Sequence, residues 1–132
     1  MNNSKVTLLL IGCAVASLQP SAARSEIFPL KHGIYVLSNV PCGQASFGTV
    51  NVYDGKGITV GHALCNVEIL NKSGNTYKVS SKCHSERDES TTKMTEVYTI
   101  TSHTSFTVKN DYGEFSSRYC ERSSLPWPWG NK

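Results

Sequence analysis

The most constraining stretch of the chain runs from Cys65 to Cys83 and reads CNVEILNKSGNTYKVSSKC. Two short runs flank a polar turn. Side chains two apart on a strand share a face. Cys65, Val67 and Ile69 then share one face, and Tyr77, Val79, Ser81 and Cys83 another. Asn71 to Asn75 between them supplies residues that tolerate positive φ and bond to their own backbone. The stretch predicts a β-hairpin with a cysteine at each foot. Both cysteines point the way the apolar residues do, as half-cystines at the ends of a small core would.

Neighbouring segments repeat the pattern. Gly33–Val40 reads as a strand stopped by Pro41, and Phe47–Tyr53 alternates before Asp54-Gly55, a strong hairpin signal. Ile58–Leu64 returns as its partner. Cys83–Lys93 holds no apolar residue beyond the cysteine and reads as the longest exposed loop. Met94–Thr101, Ser105–Lys109 and Glu114–Cys120 complete the set, with Tyr98 and Ile100 on one face. No helix is expected after the leader, because no segment sustains helical i, i+3, i+4, i+7 apolar spacing beyond two turns. About eight short strands joined by tight turns predict an all-β fold, a small antiparallel meander closed or nearly closed into a barrel.

The first 23 residues read as an export signal. Lys5 is the basic flank, and Val6–Leu18 is an apolar run too short to span a bilayer. Pro20 ends it, and Ser21-Ala22-Ala23 offers small residues for cleavage before Arg24. A second route starts from Leu10-Ile11-Gly12-Cys13, which has the look of a bacterial lipobox. Cys13 would then be lipidated, with Ala14–Glu26 as a membrane tether. The apolar run continues past Cys13, which favours simple cleavage. Residues 24–132 form the expected single domain, with a Pro/Trp-rich tail from about Glu121. The expected address is the periplasm or exterior of a Gram-negative bacterium, with a lipid anchor as the one link to a membrane.

Either route takes Cys13 out of the fold and leaves Cys42, Cys65, Cys83 and Cys120. An even number in an exported chain implies two disulfides, each contributing about 2–4 kcal/mol. Of three possible pairings, Cys42 with Cys65 and Cys83 with Cys120 is the expected one, nested at neighbouring strand ends. No cysteine pair has zinc-knuckle spacing.

The formal charge is +3, with no basic run to lay on phosphate, so nucleic acid is not an expected partner. The cluster Glu86-Arg87-Asp88-Glu89 mixes signs, as solvated loops do. No two of His32, His62, His84 and His103 sit at metal-pair spacing, and neither metal nor cofactor is expected. His62, flanked by Gly61 and Ala63, is the one candidate for a small hydrolase. There is no G-x-S-x-G elbow, and oxidised cysteines cannot attack. Trp127 and Trp129 in the tail are candidate binding residues. The tail would either cap the barrel mouth, expose an aromatic patch to a partner, or stay unstructured.

Ser73-Gly74-Asn75-Thr76-Tyr77 resembles the S-G-x-x-Y signature of the membrane-bound and periplasmic inhibitors of c-type lysozyme. Those are small, exported, disulfide-bonded β-barrels, often lipoproteins, whose serine-bearing loop enters the lysozyme cleft. The resemblance implies that role for Ser73 and Gly74, with Tyr77 as support. It covers five residues of 132. The family's tryptophan-rich strand leading to Lys-Gly is missing, since Lys56-Gly57 precedes the motif. The expected function is a non-enzymatic envelope protein that binds a protein or surface partner, or alternatively an inhibitor or immunity protein against a cell-wall hydrolase.

Overall fold

A computed structural model describes residues 25–130, together with 12, 14 and 16–18. The expectations placed on Lys5, Cys13 and the cleavage segment 21–24 lie outside the described residues. Eight antiparallel strands close into a barrel: β1 (Gly33–Leu37), β2 (Val50–Tyr53), β3 (Gly57–Val60), β4 (Ala63–Ser73), β5 (Thr76–Ser85), β6 (Thr91–Ser102), β7 (Ser105–Asn110) and β8 (Gly113–Tyr119). Each strand pairs with its neighbour in sequence, and β1 pairs with β8 to remove both edges. The expected all-β closed meander is the observed one.

Several boundaries differ from the sequence expectation: β1 stops at Leu37 short of Val40, Phe47–Thr49 is a turn before β2, and two changes are larger. Ile58–Leu64 is not one strand, because Gly61 and His62 turn the chain and Val60 pairs with Ala63. Gly61 has φ +59°, and a Cβ there would stand 2.7 Å from the Phe47 carbonyl oxygen, so only glycine makes this turn. Nor is Cys83–Lys93 a loop. β5 runs on to Ser85 and β6 begins at Thr91, leaving Glu86–Ser90 as the connection. Those strand ends are polar because most of their side chains face water, and β-branched Thr91 and Thr92 suit a strand.

The disulfides are Cys42–Cys120 and Cys65–Cys83, not the expected pairing. Cys65 lies directly opposite Cys83 in the β4–β5 register. The hairpin's two feet therefore meet each other. Cys42 reaches Cys120 because the segment after β1 folds back over the barrel wall. Arg118 holds that segment by donating to the carbonyls of Leu37 (3.0 Å) and Val40 (2.9 Å).

The packing has two layers. Inside, Phe28 and Leu30 enter from one end of the barrel and are fully buried among Tyr35, Tyr53, Tyr77 and Tyr98. The Phe28 ring stacks on Tyr98 at 4.8 Å and meets Tyr77 edge-on at 5.2 Å. Tyr53 Oη accepts from the Phe28 N–H at 2.9 Å and donates to the Phe28 carbonyl at 2.7 Å. The Ile27 N–H bonds to Gly55 O and the Lys31 N–H to His103 O, so the leading segment is tied to two turns at that end. Outside, Ile34, Val36 and Val50 are covered by Ala45, Leu125 and the half-buried Trp129, beside the Cys42–Cys120 bridge. Strand β1 is thus buried on both faces, which accounts for its unbroken apolar run Ile34-Tyr35-Val36.

Candidate functional site

Counting by twos along each strand gives the barrel's interior lining, and that lining changes character along the axis. Around Phe28 it is apolar. Further along, it includes Asn51, Ser81, Glu96, Asn110 and Ser117. Of these, Ser81, Glu96 and Ser117 are buried. Beyond this polar belt lies the second mouth, bounded by the β3–β4, β5–β6 and β7–β8 turns. The β1–β2 connection also reaches it, with Gly48 and Thr49 on its lining. Two adjoining cavities of about 230 and 340 Å³ open there. Both are lined by Val60, Glu96 and Asn110. Phe115 and Phe106 flank the first, and Met94, Tyr112 and the Cys65–Cys83 bridge flank the second.

Glu96 is the chemical centre of this mouth. It is 9% exposed. Ser81 Oγ donates to Glu96 Oε2 at 2.6 Å, and Tyr98 Oη donates to the same oxygen at 3.3 Å. Asn110 Nδ2 donates to Oε1 at 3.1 Å. The Asn110 amide is fixed in that sense, because its Oδ1 accepts the Tyr112 N–H. Burial, and then the Glu96 carboxylate, push the Tyr98 phenol far above its usual range, so at neutral pH it is a donor. All three partners are neutral. The ion pairs among the described residues are Lys31–Glu121, His32–Glu26 and His84–Glu89, and none involves Glu96.

Neither Glu96 nor Asn110 was singled out from the sequence. The signal was present: Met94, Glu96, Tyr98 and Ile100 alternate along one face, and Phe106, Val108 and Asn110 along another. A carboxylate two residues before a core tyrosine belongs to the interior by the same period that placed Tyr98 and Ile100 there.

The residues chosen from sequence are not brought together. Ser73 and Gly74 are exposed at the β4–β5 turn, at the plugged end of the barrel. Asn75 pins that turn: its carbonyl accepts the Ile100 N–H at 2.8 Å, and its amide donates to Ile100 O at 3.0 Å. Tyr77 is buried and its ring packs against Phe28. The tail does not cap the mouth. It lies along the outer wall over β1, where Trp129 meets Phe47 edge-on at 4.9 Å and Trp127 is 75% exposed. Its shape follows from Leu125, which is buried in the outer layer and draws the chain onto the wall.

His62 stacks flat on Phe47 at 4.0 Å, and no side-chain hydrogen bond joins it to a carboxylate or hydroxyl among the described residues. Ser81 is 1% exposed and its hydroxyl is turned onto Glu96, away from any reactant. No group of three metal-ligating side chains occurs among the described residues. None of the described helices is long and apolar enough to cross a membrane. The outward side of β4–β6 carries Asn66, Glu68, Lys78, Lys82 and Lys93, with Leu64 and Leu70 exposed beside them. Two disulfides fit an oxidising compartment. No known protein family, curated protein or solved structure matches the chain.

Proposed function

We propose that the chain is an exported, non-enzymatic binding module of the Gram-negative envelope that receives its partner at the second mouth of the barrel. The supporting observation is the asymmetry of the two ends. One is filled by the chain's own Phe28 and Leu30. The other widens into cavities with apolar walls and one fixed polar centre, the usual make-up of a binding pocket. Val60, Tyr112 and Phe115 leave apolar surface at that rim, where burial by a partner would be favourable.

Protein recovered from the envelope, with a mass starting at Arg24 or at an acylated Cys13, is expected to bind the neutral dye Nile red with one-to-one stoichiometry. Val60 lines both cavities and is half-exposed, so Val60→Trp is expected to lower that affinity by about tenfold. The melting temperature should stay close to that of the parent. Dye binding that ignores Val60→Trp would overturn the mouth as the site, and recovery as a full-length cytosolic chain would overturn export.

A second reading is inhibition of a c-type lysozyme through the Ser73 turn. What favours it is the rigidity of an exposed, pinned loop. Purified protein would then slow lysozyme, and Ser73→Ala would relieve the effect. Unchanged lysozyme activity at micromolar inhibitor excludes this reading.

A further inference from the structure

Glu96 poses a physical problem that the fold alone does not resolve. A carboxylate taken out of water is costly, and hydrogen bonds from neutral donors offset that cost only in part where no positive charge accompanies it. Here three neutral donors bond to it, and none brings charge. Packing does not require an acid at this position. Val79 faces it across the β5–β6 register, and an apolar residue there would extend the core. The two oxygens are unevenly used as well: Oε2 accepts two hydrogen bonds and Oε1 accepts one. Glu96 lines both cavities, and among the described residues it is the only charged side chain that lines either.

We propose that the mouth binds a small organic cation, a protonated amine on an apolar body, with Glu96 as its counter-ion. The inference rests on the mouth being the binding end. The ammonium would donate to Oε1 beside Asn110 and supply the missing charge, making a charge-assisted hydrogen bond where water is scarce. Its apolar body would lie between Val60 and Met94 or Phe115. A bare metal ion is the poorer occupant, because Glu96 is the one acidic ligand on hand and both cysteines at this mouth are oxidised. An anion would meet Glu96 directly and is repelled.

The test uses three probes of one shape: phenethylamine, which is protonated at pH 7, neutral 2-phenylethanol and anionic phenylacetate. Titration calorimetry on the disulfide-intact protein is expected to show one-to-one binding of the amine, about tenfold tighter than the alcohol. Phenylacetate is expected to give no heat. Raised salt should weaken the amine and leave the alcohol alone. In Glu96→Gln the preference should vanish, with amine and alcohol affinities within about threefold of each other. The charge series on the parent protein decides the matter even where the variant fails to fold. Equal affinity for all three probes, or a preference that survives Glu96→Gln, overturns the cation. If Nile red binds in a Val60-dependent way while phenethylamine does not, the mouth stands and the cation falls. If neither binds, both fall.

Discussion

A chain carrying Val79→Asp is expected to show no cooperative unfolding transition by circular dichroism at any temperature. Val79 is fully buried, and its partner across the β5–β6 ladder is Glu96. The new carboxylate would enter the interior without a cation and would stand opposite one that is already there. Burying a single unpaired charge costs several kcal/mol, and a domain of this size has a total stability of about 5–15 kcal/mol. Repulsion between directly opposed like charges adds to the loss. Lys78 is next in sequence but points outward and is exposed, so Lys78→Asp is the matched control. Its effect should stay within about 0.5 kcal/mol. A normal melt for Val79→Asp would refute the facing of β5 and, with it, the interior position of Glu96.

The second large effect separates the two disulfides. Cys42–Cys120 closes a separation of 78 residues and Cys65–Cys83 one of 18. If cross-links act mainly by restricting the unfolded chain, the first contributes about 4.5 kcal/mol and the second about 3 kcal/mol. The fold widens that gap. Cys65 and Cys83 are already aligned by the β4–β5 ladder, whereas Cys42 and Cys120 hold together the fold-back segment, the tail and the outer layer on β1. Urea unfolding of the Cys42→Ala/Cys120→Ala and Cys65→Ala/Cys83→Ala pairs, each without reductant, should give the lower midpoint for the first. The reverse order would mean that the outer layer holds without its bridge.

Local chemistry explains which parts could be read in advance. The β2–β3 turn was legible because Asp54 and Gly55 act within four residues. Asp54 Oδ1 accepts the N–H groups of Lys56 and Gly57, and Gly55 takes φ +89°. Those bonds hold the Asp54 carboxyl below its ordinary range. The alternation of Tyr77, Val79 and Ser81 was legible for a similar reason, since period two is a property of one strand. The disulfide pairing was not, because it depends on how the segment after β1 folds back, and that depends on contacts of Arg118 some 80 residues away in sequence. The mouth escaped notice for a third reason. A polar residue on an apolar face looks like surface until closure of the barrel turns that face inward. Glu96, Asn110 and Ser81 lie on three different strands and converge only then.

The plug also gives the barrel a direction. Glu26 bonds to His32 at 2.7 Å and the Ile27 N–H to Gly55 O, so the segment from Glu26 to Phe28 is tied down at the end that Phe28 fills. The mouth that carries Glu96 opens at the opposite end of the barrel. On the proposed reading, a ligand reaches Glu96 without passing the plug.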